Sequence, residues 1–279
     1  MAMIENNDQS NVVVYNNEFN GVQLKDFNAV EIDLLMSIMS VMREKGESET
    51  TLSFYKLREL SKYNKETAIS SFTDDLESTY DKLIKLNVKI GNSKKWTKFV
   101  FFTKYEMNIE DQVITISVNS DFKHLINQIS GNFTKLELEE ITSLKSTYSK
   151  NLYRQLKQYR TTGYAIFDME KFRYLMDIPE SYKMGNIDQR VLKPAINELS
   201  PYFKNLKFNK KRGNGKDSRK IKWIEFWFKN EDGLNRGNRV FRNQDGEYYE
   251  KNIKDFDDTE IKKAYPDSKD FEKNSGFDF

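Results

Sequence analysis

The sequence predicts an α+β protein in which one structural plan is used twice, with an acidic tail behind it. Three observations predict this. The order long helix, short strand, helix, turn, longer helix, β-ribbon runs through residues 1–132 and again through 133–230, and a repeated order of elements marks an internal duplication. The stretches "KLREL" (56–60) and "KFRYL" (171–175) occupy the same slot in the two passes. Charge is also unevenly divided. Residues 204–229 hold ten Lys and Arg against Asp217 and Glu225, a net of 10 − 2 = +8 in a chain of +2, so the rest sums to −6. The expected domains are 1–132, 133–230 and a flexible, disordered acidic tail at 231–279.

The first pass opens with a polar lead-in and an edge strand at "NVVVY". Residues 26–46 follow as a helix, with Val30, Leu34, Leu35, Ile38, Val41 and Met42 as its stripe and Gly46 as its stop. Met36, Met39 and Met42 read as core filler. "TLSF" is a strand, and "YKLRELSKY" a short helix ending at Asn64. The next helix spans 65–86, marked by Ala68, Ile69, Phe72, Leu76, Tyr80, Leu83 and Ile84. "NVKIG", "WTKFVFFTKYEMNI" and "QVITISV" read as strands, the last two joined by a turn at "NIEDQ". A helix at 121–128 closes this pass.

The second pass begins at "FTKLELEEITSLKSTYSKNLYRQLKQYRTTG". Thr134 and Glu137 make a capping-box pattern, the stripe runs from Leu136 to Tyr159, and Gly163 ends it, with one break near Ser146. The strand "AIFD", the helix "MEKFRYLMDI", a break at Pro179 and a helix over 186–203 come next. The strands "NLKFNKK" and "KIKWIEFWF" close the pass around the Gly-rich "RGNGKDSR". "WIEFWF" is apolar on both faces, which reads as packing on a neighbouring unit ahead of base stacking.

Composition removes several function classes. There is no cysteine, hence no disulfide, thiolate catalysis or Cys-ligated zinc. The single histidine, His124, has no partners for a metal site or a catalytic pair, and no Gly-rich phosphate loop is present. No catalytic residue, cofactor or metal is expected, which argues against a nickase or primase. "IDLLMSIMSVM" is too short and interrupted to cross a bilayer. A cytoplasmic location with no membrane partner is the expectation.

Helix, turn, helix and β-hairpin is the winged-helix plan, in which the second helix enters the major groove. In "NIDQRVLKPAINELSPYF" (186–203), Val191, Leu192, Ile196 and Leu199 face the core. Gln189, Arg190, Lys193 and Asn197 face out, and such side chains bond base edges. Pro194 interrupts the pattern. The favoured reading is a kink there, between the DNA-reading turn and the packed turns, because the apolar spacing runs unbroken through the proline; the alternative is a helix that starts at Pro194. The basic ribbon, with Lys207, Lys210, Lys211, Arg212, Lys216, Arg219, Lys220 and Lys222, is suited to a phosphate backbone. In the first pass Lys65, Thr67, Ser70 and Ser71 stand at the matching helix, but Asp74, Asp75 and Glu77 make it the weaker reader.

"LYRQLKQYR" together with "FRYLMDIPESYKMGNIDQRVLKPAINELSPYF" resembles the Rep-3 family of plasmid replication initiators (the RepB/RepE type), with its leucine-tyrosine helix, "LxIP"-type break and "RVLxPAIxEL" helix. The resemblance covers about residues 20–229. It implies two tandem winged-helix domains and non-enzymatic binding to iterons, the direct repeats of a plasmid origin. It further implies origin opening, recruitment of a host helicase or initiator, and a monomer–dimer balance in which dimers bind an inverted-repeat operator and repress their own gene. The first domain would dimerise and contact DNA in an accessory way; the second would do the main reading. The alternative is a dedicated winged-helix transcriptional repressor.

Overall fold

The computed structural model describes residues 12–45, 49–64, 66–91, 94–119, 133–213, 218–231, 238–242 and 248–252. Taken over these residues, the backbone falls into two compact units. Met1–Val88, Lys98–Gln158 and Tyr174–Glu198 belong to the first; Lys89–Thr97, Tyr159–Arg173 and Leu199–Phe279 belong to the second.

The first unit is organised around α1 (Ala29–Lys45). This helix packs against β1 (Val12–Asn16), α2 (Phe54–Leu60), α3 (Ile69–Leu83), α4 (Leu138–Ser143) and α5 (Thr147–Lys157). Every residue from Glu31 to Met42 is buried. A helix covered all round needs apolar residues all round, so Ile32, Met36 and Met39 join the predicted stripe. Val30, expected in that stripe, is exposed instead. The helix starts with a reciprocal cap: Glu31 N–H donates to Asn28 Oδ1 (2.9 Å) and Asn28 N–H to Glu31 Oε2 (2.7 Å).

The helix expected from residue 65 begins at Ile69. Asn64 holds the chain in a turn before it: its side chain accepts from Glu66 N–H and its carbonyl from Thr67 N–H. β2 (Glu49–Ser53), β5 (Phe102–Asn108) and β6 (Val113–Val118) form an antiparallel sheet ordered β2-β6-β5. β3 (Asn87–Gly91) and β4 (Trp96–Val100) form a separate two-stranded ribbon, and its residues Lys89–Thr97 are counted with the second unit.

The capping box read at Thr134 and Glu137 is absent. Residues Phe133–Glu137 are β7, antiparallel to β1. Thr134 and Leu136 are buried while Lys135 is exposed, so a period of two prevails over a helical one. The Thr134 hydroxyl donates to Asn17 Oδ1 and accepts from Asn20 Nδ2, both at 2.7 Å. The break near Ser146 is present: Ser146 caps α5, accepting from Tyr148 N–H.

α5 is buried from Ser149 to Lys157 despite its polar composition. Its cations are answered from nearby. Arg154 donates to the Phe19 carbonyl (3.1 Å) and lies over the Phe19 ring, and Gln155 donates to the Asn20 carbonyl (2.7 Å). Lys150 reaches Asp33 on α1 at 2.6 Å and the Ile141 carbonyl at 2.8 Å. Two carboxylates moor the last stretch of this unit. Asp177 accepts from the Gln23 side chain and Asp26 N–H, both at 2.9 Å, and Glu198 accepts from Lys145 N–H, also at 2.9 Å.

In the second unit β8 (Tyr164–Asp168), β9 (Lys207–Arg212) and β10 (Ile221–Trp227) form an antiparallel sheet ordered β8-β10-β9. This repeats β2-β6-β5, with the last strand central in each. The slots of "KLREL" and "KFRYL" are filled by α2 and α6 (Met169–Leu175), each of seven residues. One face of the sheet carries the Phe167, Phe172 and Phe226 cluster. Gly163 is required where it stands: its φ is +67°, and a Cβ there would lie 2.4 Å from the Phe228 carbonyl oxygen. Within the stretch expected to be a flexible tail, β11 (Asn238–Arg242) and β12 (Tyr248–Asn252) pair antiparallel. Gly46, the helix predicted at 121–128 with His124, and the remainder of the tail lie outside the described residues.

Candidate nucleic-acid interface

The helix carrying the predicted base-reading residues runs as α7 (Met184–Ile187), a π turn (Asp188–Leu192) and α8 (Lys193–Leu199). Ile187, Val191, Leu192, Ala195 and Leu199 are buried. Gln189, Arg190, Lys193 and Asn197 are all exposed. Apolar spacing therefore fixed one face inward and left these four outward.

Pro194 explains the π turn. It has no N–H to give, and its ring crowds the carbonyl four residues back. Just ahead of it, Lys193 N–H donates to the Asp188 carbonyl, five residues back. This widened turn lets the helix continue, with proline in the first turn of α8, where it is tolerated. Where a kink is the favoured expectation, the structure has a π turn (Asp188–Leu192) followed by a helix from Lys193 with Pro194 in its first turn.

Arg190 has a partner that sequence reading missed. Its guanidinium lies over the Tyr182 ring (5.4 Å to the centroid) and donates to the Tyr182 hydroxyl at 3.3 Å. That hydrogen bond raises the pKa of Arg190 further. The separation of eight residues across the Pro179 break gives no periodic signal for the pair.

The basic ribbon is β9 and β10. Lys207, Arg212, Arg219 and Lys220 are exposed, and Lys210 and Lys222 are half-buried. Lys216 lies outside the described residues. Lys211 differs from the others: its ammonium is 2.6 Å from Glu225 Oε1, with side chains 31% and 1% exposed. Tyr164 donates to the same oxygen at 3.0 Å, and Glu225 Oε2 has no partner among the described residues. The sequence carried a signal for this arrangement. Glu225 is the lone acid in "WIEFWF", and a buried carboxylate needs a cation.

In the first unit Thr67 and Ser71 do not behave alike. Ser71, with Ser70, is exposed on the first turns of α3. Thr67 is half-buried, and its carbonyl accepts from Arg58 at 2.6 Å. Lys65 lies outside the described residues. Asp75, feared as a phosphate repellent, accepts from the Tyr63 hydroxyl at 2.7 Å, whereas Asp74 and Glu77 are exposed. Among the described residues no group of three His, Cys, Asp or Glu is arranged to hold a metal, and no helix is long and apolar enough to cross a membrane.

Two winged-helix copies, one with an exposed polar helix face and a basic wing, define a protein of the tandem winged-helix, DNA-binding class. The chain belongs to the Rep3 family of replication initiators: residues 12–157 match its "Initiator Replication protein, WH1" domain and 168–228 its "Initiator Rep protein, WH2" domain. It is similar to a "Probable replication protein rep" of Bifidobacterium longum (strain NCC 2705), 35% identical over 192 residues, which are 68% of this chain and 65% of that protein. The fold is also that of the Pi initiator protein solved in complex with iteron DNA. That match has a TM-score of 0.61 at 14% identity and covers 79% of this chain and 97% of the other.

Proposed function

We propose that this protein initiates plasmid replication by binding direct repeats at its origin. The observation that carries the reading is the exposed quartet Gln189, Arg190, Lys193 and Asn197 on a helix whose other face is buried. In this reading the quartet meets base edges in the major groove. Arg190 arrives preformed over Tyr182, so less side-chain freedom is lost on binding. Lys207, Lys210, Arg212, Lys216, Arg219, Lys220 and Lys222 meet phosphates. The first domain adds weaker contacts through Ser70, Ser71 and Lys65, and joins two copies in a dimer.

Binding along several repeats bends and strains the adjacent duplex, and host replication proteins are recruited to the opened strands. A dimer on an inverted repeat at the promoter would regulate the gene itself. Family membership and the winged-helix copies support this reading.

The test is a footprint of the purified protein on DNA flanking its own gene. Protection of evenly spaced direct repeats, about two helical turns each, is expected for an initiator that uses both domains. A single protected inverted repeat at the promoter, with no plasmid maintenance by the gene, would make the protein a dedicated repressor.

A further inference from the structure

The β3–β4 ribbon has no counterpart in the second winged-helix copy, where the helix ending at Leu199 is followed directly by β9. Its charge is one-sided. Residues 85–100, "KLNVKIGNSKKWTKFV", contain five lysines and no acid, in a chain of 45 Lys and Arg against 43 Asp and Glu. Residues 94–98 are all exposed, and Trp96 stands 53% exposed among them.

The other ribbon of the first copy, β5–β6, occupies the position of a wing but is chemically wrong for phosphate. Its turn carries Glu110 and Asp111, both exposed. A polyanion would be repelled by that tip and attracted by Lys94, Lys95 and Lys98.

We propose that β3–β4 is a further backbone-binding ribbon, and that its occupant is the sugar–phosphate backbone of duplex DNA. This rests on the DNA-binding reading above. Lysines on a narrow ribbon act as point charges that follow phosphates without reading bases. Trp96 between them offers an apolar face to deoxyribose. The ribbon contributes affinity and salt dependence without sequence preference.

The experiment compares the full chain with the triple variant Lys94→Gln, Lys95→Gln, Lys98→Gln. Affinity is measured by anisotropy on the origin repeats and on random duplex, from roughly 50 to 300 mM salt. The variant should bind both duplexes about 10-fold to 100-fold more weakly at low salt, with the slope of log K against log salt reduced by about 2–3. A hydroxyl-radical footprint should lose part of its backbone protection while the protected repeats stay the same. Unchanged slopes on both duplexes, with an unchanged footprint, would overturn the proposal. So would a slope change seen only on single strands. The two readings fail separately: a wild-type protein that ignores the repeats sinks the initiator reading, while the slope on random duplex still judges the ribbon.

Discussion

Arg190 and Lys211 are both basic residues of the second winged helix, and their surroundings give them different work. Arg190 is exposed and braced on Tyr182. Replacing it with alanine should cost about 1–3 kcal/mol on the specific site and relax its sequence preference. Competition binding with cognate and scrambled duplexes reads both effects, and unchanged discrimination would remove Arg190 from the groove. Lys211 neutralises a carboxylate that is 1% exposed. Its alanine variant should lose about 2–3 kcal/mol of folding stability, below the range for a fully buried pair because Lys211 is 31% exposed. The double variant Lys211→Ala, Glu225→Gln should regain much of that loss in urea unfolding. If Lys211→Ala instead unfolds like the wild type and only weakens DNA binding, the pair has no structural weight.

At the scale of elements, the sequence was most readable where one physical constraint dominates. The helix over 184–199 was legible because its apolar residues keep helical spacing and sit on one face. The duplicated sheets were legible because "KLREL" and "KFRYL" mark the same slot. Residues 133–137 were misread because "TKLE" fits a cap pattern, while its pairing with a distant β1 leaves no local trace. The Pro194 turn shows how much a local rule can say. The proline forbade a regular α-helix but could not specify the remedy. Since the π turn already absorbs the misfit, Pro194→Ala should change stability by less than about 1 kcal/mol, against ~3 kcal/mol for a proline forced into a regular helix. Chemical denaturation measures the difference, and a gain of several kcal/mol would mean that the helix stores strain there.

For the molecule as a whole, the buried ion pair between α1 and α5 couples stability to pH. Burial raises the pKa of Asp33 to about 7, against the pull of Lys150. The ammonium of Lys150 is in turn lowered by burial. The folded Asp33 pKa lies above its ordinary value of 3.8, so between these values the folded state holds a proton that the unfolded chain has released. The contribution of Asp33 therefore favours the fold at low pH and is lost as pH rises through about 7. Relative to an Asp33→Asn variant, the wild type should lose stability from about pH 4 to pH 7, measured as the difference in urea midpoints. A flat difference would show that Asp33 titrates where an exposed aspartate does. Among the described residues β1 pairs only with β7, and its buried residues are Val13, Val14 and Tyr15. During synthesis this apolar edge leaves the ribosome well ahead of β7 and stays unpaired until residue 137 follows. The nascent chain thus exposes a strand suited to pairing with the wrong partner. The interval is set by translation speed, so the yield of folded protein should depend on how fast the chain is made.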